Sequence, residues 1–265
     1  ALTHFGSLEF AAEALLEGKV SFQEVNGEQT LAENVSNQSS IESDAEKKHY
    51  YTLEKMKKIK KHVYAVTDKI PKGKLLKPEE FEGHHDPHVW FDPTLWVHCL
   101  DTVVEGLSKS DVANKVKYEK RGAKLRVEFL ALHEWAKGRM TDLPEKPVLI
   151  TSHDAFNYFG RAYRLEVVGL QGISTEDEAS AKKITEIADL IKNRKVKAVF
   201  TESSVNSAPI EQLCRDTGTV KGGELFSDAM GQPGKMMGPE GDQYDVGTYQ
   251  GMIRHNVNTV VESLK

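Results

Sequence analysis

The chain has 265 residues, 39% of them hydrophobic and 28% charged, enough to bury one large core or two smaller ones without covalent staples. A formal net charge of -5 leaves no basic footprint for nucleic acid, and no apolar run approaches the ~18 residues that a membrane-spanning helix needs. The two cysteines, Cys99 and Cys214, stand far apart in dissimilar surroundings; this excludes a disulfide framework and a Cys-x-x-Cys metal site and predicts buried free thiols.

In chain order, residues 1–18 open with a helical pattern in which Phe5, Leu8, Ala12, Leu15 and Leu16 recur at three and four spacing. Residues 26–48, rich in Asn, Gln, Ser and Glu, read as loop or disorder, and no secretory leader or lipobox cysteine is read here. Residues 62–67 are expected to form a short strand. Residues 93–108 read as a helix, with Asp92 in capping position and Pro93 in the first turn.

Residues 111–140 contain no proline and read as one helix of about 30 residues, roughly 45 Å long. Its apolar residues fall on two stripes. Val112, Val116, Ala123, Val127 and Leu130 share one face, while Tyr118, Leu125, Phe129, Leu132 and Ala136 lie almost opposite. No heptad with charged flanks is sustained, so the pattern predicts a connecting helix buried on both sides between two bodies rather than a coiled coil.

Beyond it, strand and helix patterns alternate. Residues 148–152, 166–169, 196–201 and 224–226 read as strands; residues 155–163, 177–194, 209–216 and the C-terminal stretch to Lys265 read as helices. Ile184, Ile187, Ala188 and Ile191 face inward, and the glycine-rich stretch 231–247 is expected to be a mobile loop. The alternation predicts an α/β fold with a parallel, doubly wound sheet.

Three segments carry candidate chemistry. The run His84-His85-Asp86-Pro87-His88-Val89-Trp90-Phe91-Asp92-Pro93 places nitrogen and oxygen donors on a stretch stiffened by two prolines. Pro87 fixes its own φ and pushes Asp86 toward extended geometry, which aims His88; a pre-aimed ligand loses less entropy on binding. The plain alternative is a surface loop where histidines fall together by chance. His153 ends an apolar strand, the place where open α/β sheets hold ligands. Asp228 stands between glycine-flanked turns after another short apolar run.

Two imidazoles and a carboxylate suit zinc and are tolerable for manganese or iron. Because neutral imidazoles are required, binding is expected to fade below the ordinary histidine pKa of ~6.5. Trp90, Phe91 and Phe156 either dry such a site or simply fill the core, and Asp86 and Asp154 either orient imidazoles or cap turns. Glu202, at a strand end, is the residue that a zinc-dependent hydrolase would use as base; the absence of His-Glu-x-x-His, of a nucleophile elbow and of paired carboxylates speaks against it.

The motifs Asp-Pro-His-Val-Trp (86–90), Ser-His-Asp-Ala-Phe (152–156), Gly-Leu-Gln-Gly-Ile-Ser-Thr (169–175), Glu-Ser-Ser (202–204) and Phe-Ser-Asp-Ala-Met-Gly (226–231) resemble those of the TroA-like zinc and manganese solute-binding proteins of ABC importers. The resemblance runs from about Val63 to the C-terminus. It implies two Rossmann-like lobes linked by one long rigid helix, with one metal ion held between them and delivered to a membrane permease and its ATPase. It also implies a monomer, in the periplasm or anchored outside the cell, with no catalytic activity.

Carried over by position, His88 matches a first-lobe ligand, and His153 and Asp228 match two second-lobe ligands. The histidine at 153 favours zinc over manganese. The division implied is 1–50 as an atypical N-terminal segment, 51–110 as a partial first lobe, 111–140 as the linking helix and 141–265 as the second lobe. The chain departs from the family at the start: the opening strand-helix-strand unit and its further histidine ligand are missing from their expected context. That leaves water, His49, His62 or His4 for a fourth position. A non-transporting adhesin or metal buffer of the same fold is the remaining alternative.

Overall fold

Capping chemistry and periodicity set most element boundaries, and the exceptions are instructive. The structure, a computed structural model, describes residues 20–25, 28–33, 64–81, 83–175 and 179–265. The helical pattern of residues 1–18 and the histidines 4, 49 and 62 lie outside them.

Near the start, β1 (Val20–Val25) pairs antiparallel with β2 (Glu28–Glu33), with Val25 opposite Glu28. This corrects the reading of 26–48 as loop throughout. The Asn-Gly dipeptide at 26–27 is a strong hairpin signal, and ladder pairing overrides the polar composition of β2. The strand expected at 62–67 is likewise corrected over its described part: Val66–Lys69 is a 3₁₀ turn, closed by Asp68 N–H donating to Ala65 O. That turn packs on the following helix, with Lys69 Nζ 2.6 Å from Glu105 Oε2.

Helix α1 (Pro93–Ser110) starts as its sequence demands, the Asp92 carboxylate accepting from Thr94 N–H at 2.9 Å with Pro93 at the first position. Asp111 then caps a short 3₁₀ turn, Val112–Asn114, before α2 (Lys115–Met140). At 26 residues α2 is about 39 Å long, shorter than expected because its first turn is wound differently. Glycine at 122 lets α1 and α2 cross closely; a Cβ there would sit 2.4 Å from Val104 Cγ2.

The expectation of burial on two sides of this helix is corrected. Phe129, Leu132 and Ala136 are buried, whereas Val112, Val116 and Val127 are 72%, 74% and 68% exposed. Helix α1 and the helices at Asn157–Tyr163 and Tyr249–Leu264 all contact α2, and among the described residues its valine face meets solvent.

The C-terminal half is the α/β unit that the alternation predicts. Its elements are β3 (Val148–Thr151), α3 (Asn157–Tyr163), β4 (Glu166–Gly169), α4 (Ala181–Arg194), β5 (Ala198–Glu202), α5 (Ala208–Thr217) and β6 (Val220–Leu225). Strands β3 and β4 pair in parallel, as do β5 and β6, and β3 lies beside β5. Alternation along the strands splits the packing into two layers. Val148, Ile150 and Val199 join Ile187 and Ile191 of α4 and Ile210 and Leu213 of α5. Leu149, Ala198 and Phe200 face the other way, into a core shared with Phe156, Phe159, Val257 and Val260. That same core takes in Val89, Trp90 and Phe91, so the segment bearing His88 is packed continuously with the β-sheet body.

The stretch expected as a mobile loop is tied down instead. Strands β7 (Met236–Met237) and β8 (Tyr244–Asp245) pair, and Asp245 Oδ1 accepts from Gly234 N–H and Gly247 N–H, each at 2.9 Å. Helix α6 (Tyr249–Leu264) closes the fold with Thr248 as cap. Among the described residues no helix is long and apolar enough to cross a membrane.

Candidate metal site

His88 and Asp86 are held as a unit. The Asp86 Oδ1 atom accepts from the His88 backbone N–H at 2.9 Å and lies 2.8 Å from His88 Nδ1. An ionised carboxylate can only accept, so Nδ1 carries the ring proton and Nε2 presents its lone pair on the far side. Asp86 is itself buried: Tyr158 OH donates to its carbonyl at 3.0 Å, and Asn157 Nδ2 approaches Oδ2 at 3.4 Å.

His153, just past the end of β3, repeats the device with Glu202, the last residue of β5. The His153 N–H donates to Glu202 Oε1 at 2.8 Å, and Glu202 Oε2 lies 2.6 Å from Nδ1. Both side chains are 0% exposed. Two adjacent strands, β3 and β5, thus deliver an imidazole and its orienting carboxylate to the same end of the α/β unit, where ligands of such folds collect. By sequence alone Glu202 is a potential base and Asp154 a candidate to orient the ring. At His153 Nδ1 the carboxylate found is Glu202, while Asp154 N–H donates to Gly172 O. The signal that could have found it is that Glu202 ends one buried strand and His153 follows another.

Asp228 comes from the turn after β6. Its Oδ2 is 3.2 Å from His153 Nε2 and its Oδ1 is 3.8 Å from His88 Nε2. The turn is fixed from several sides: Trp90 Nε1–H donates to Ser227 O at 3.1 Å, and the Asn256 side chain holds Phe226 through N–H to Oδ1 at 2.9 Å and Nδ2 to O at 2.7 Å. Ser204 Oγ, 3.3 Å from Asp228 Oδ2, completes the surroundings.

The structure therefore brings all three expected donors together, their ligand atoms within 4.8 Å of one another. Tetrahedral zinc with bonds of ~2.0–2.1 Å sets its donors about 3.3 Å apart; the Asp228 oxygens stand 3.2 and 3.8 Å from the two imidazole nitrogens, so closing on an ion requires only small side-chain shifts. The imidazole rings stand nearly edge to face, 5.4 Å between centroids. Trp90 lies against His88, and Phe91 stacks on Phe156, so these aromatics both fill the core and wall the site.

The electrostatics are those of a cation site. Burial pushes the His153 pKa down, but Asp228 and Glu202 outweigh it and raise it to about 10. Burial likewise favours the neutral form of Asp228, yet His153, His88 and Ser204 hold it below the usual carboxylate value. In the metal-free protein a proton on His153 stands where a cation would bridge the same groups. Proton competition consequently begins well above the ~6.5 expected from ordinary histidine.

Two carboxylate-backed imidazoles and a third carboxylate, gathered at the ends of parallel strands, form a donor set of the kind that suits a divalent metal. The chain belongs to the ZnuA family, zinc-uptake complex component A, periplasmic, which it matches over residues 25–263. The zinc-binding protein TroA of Treponema pallidum is 41% identical over 209 residues, 76% of this chain and 64% of that protein. The manganese-binding lipoprotein MntA of Bacillus subtilis is 38% identical over 208 residues, again 76% of this chain and 64% of the relative. The chain thus spans just under two thirds of these relatives' length. The solved structure of periplasmic TroA superimposes with a TM-score of 0.71 at 38% identity, covering 80% of this chain and 76% of that one. A mutant of the laminin-binding adhesin Lmb of Streptococcus agalactiae matches with a TM-score of 0.62 at 27% identity, covering 76% and 70%.

Proposed function

We propose that the chain binds one zinc ion, with manganese as the second fit, through His88, His153 and Asp228, and hands it to the permease and ATPase of an ABC importer outside the cytoplasmic membrane. The observation that carries this is the convergence of the three donors with a carboxylate behind each imidazole, which presents both Nε2 atoms to one point. A nitrogen-rich set favours zinc over manganese in the Irving-Williams order. The relatives include one named for each metal, which agrees with a site whose cargo is a small divalent ion. In this reading residues 51–110 and 141–265 are two lobes and α2 is the brace behind them. Water, His49, His62 or His4 is left for the remaining coordination position.

Catalysis by Glu202 is disfavoured, since its side chain is 0% exposed and both oxygens face His153, leaving none to activate a water molecule. The test is elemental analysis with calorimetric titration of zinc and manganese into the metal-free chain. His88→Ala, His153→Ala and Asp228→Ala should each weaken zinc binding at least about tenfold. Unchanged affinity in all three would refute the assignment.

A further inference from the structure

We propose that Ser204 sets the metal preference of this site by holding Asp228 to coordination through one oxygen. The proposal rests on the metal reading above and adds a residue that nothing in it requires. Ser204 follows Glu202 in the turn after β5, and Ser203 N–H donates to Leu225 O at 2.9 Å, which pins that turn to the end of β6. The same few residues therefore serve two ligands: Glu202 reaches His153, and Ser204 reaches Asp228.

The direction of the hydrogen bonds follows from chemistry. Ser204 Oγ lies 3.3 Å from Asp228 Oδ2 and 2.7 Å from Ser227 Oγ. The carboxylate only accepts, so Ser204 donates its single proton to Asp228, and Ser227 donates to Ser204. At 3.3 Å the bond to the carboxylate is a long one, and the 2.7 Å contact between the two hydroxyls holds Ser204 in place to make it.

Geometry alone would let Asp228 grip an ion with both oxygens, since Oδ2 is 3.2 Å from His153 Nε2 and Oδ1 is 3.8 Å from His88 Nε2. The hydroxyl takes up lone-pair capacity on Oδ2 and leaves Oδ1 the better donor. The backbone of the turn cannot shift to compensate, because Trp90 holds Ser227 O and Asn256 holds Phe226. What remains adjustable is the carboxylate torsion, and Ser204 restrains it. One oxygen suffices for zinc, which is complete with four short bonds. Manganese takes more oxygen donors at higher coordination number, so the restraint costs manganese more than zinc.

The experiment uses the full chain with Ser204→Ala and Ser204→Thr. Ser204 is exposed, so neither change should compromise folding, which circular dichroism checks. Zinc and manganese affinities are measured by chelator competition. Ser204→Ala should lower the zinc-to-manganese affinity ratio roughly tenfold, mainly by tightening manganese, the scale typical of outer partners of ligands. Ser204→Thr, which keeps the hydroxyl, should retain the original ratio. A ratio unchanged in Ser204→Ala, or lost equally in Ser204→Thr, overturns the proposal. Wild-type protein that binds neither ion, or an Asp228→Ala variant that binds both normally, overturns the metal reading and this proposal with it.

Discussion

Replacing Glu202 by glutamine changes one atom and should disable a ligand that it never touches. The new side chain can still accept from His153 N–H, as Glu202 Oε1 does at 2.8 Å. Where Oε2 lay 2.6 Å from Nδ1, however, an NH₂ group now stands, and it can only donate. The ring must answer by moving its proton to Nε2, the atom that faces Asp228 and the metal position. Restoring the productive tautomer would oppose two buried N–H groups in a pocket with no solvent, which costs about 1–3 kcal/mol. Zinc affinity should therefore fall roughly tenfold to a hundredfold, in line with the usual effect of losing a carboxylate behind a ligating histidine.

The pH dependence supplies a second signature. Glu202 also helps raise the His153 pKa to about 10, so wild-type protein loses affinity to protons at neutral pH and recovers it as pH rises. The gap between wild type and Glu202→Gln should consequently widen from pH 7 to 9. Chelator-competition titrations at the two pH values read both effects. Affinities within about threefold of each other at both would refute the tautomer argument.

Other outcomes follow from the same geometry. Metal binding should release about one proton per ion at pH 7.5, because the cation replaces the proton on His153; calorimetry in buffers of different ionisation enthalpy measures it, and no release would contradict the raised pKa. The same group stabilises the metal-free fold fully below ~6.5, and that stability should be lost as pH climbs through about 10. His133 and His255 act in the opposite sense. Burial lowers the pKa of each, so their neutral forms stabilise the fold above ~6.5 and that contribution is lost as pH falls below it. Thermal midpoints of metal-free protein should drop between pH 6.5 and 5, and His133→Gln or His255→Gln should flatten the slope. Gly122→Ala places a methyl group 2.4 Å from Val104 Cγ2. Overpacking exceeds the helix-propensity gain, for a net loss of about 1–2 kcal/mol in thermal unfolding, and an equal or higher midpoint would show that the crossing has slack.

How much of this was legible beforehand varies with the range of the interaction. Helix α1 and its Asp92-Pro93 start, the α/β alternation and the candidates His88, His153 and Asp228 were all visible, because capping, periodicity and donor chemistry are local properties of a sequence. The structure brought the three donors to one point, which spacing alone could not demonstrate. The misreadings were of another kind. The valines at 112, 116 and 127 gave α2 the pattern of a helix buried twice, but a stripe records what could be buried, and among the described residues the packing partners lie on the opposite side.

Glu202 is the sharpest instance. A glutamate at a strand end reads as available chemistry until packing sets the strand that it ends beside the one leading to His153 and commits both of its oxygens. Ser204, though it stands in the Glu-Ser-Ser motif, and Asn256 gave no sign of their contacts, since a serine or asparagine acquires a role only from what lies opposite it. From the amino acids alone came the elements, the class of fold and the kinds of donor on offer. The tertiary structure decided which nitrogen carries a proton, which carboxylate is free to meet a cation and which is occupied, because those depend on contacts between residues tens of positions apart, and hydrogen-bond direction is fixed only when both partners are in place.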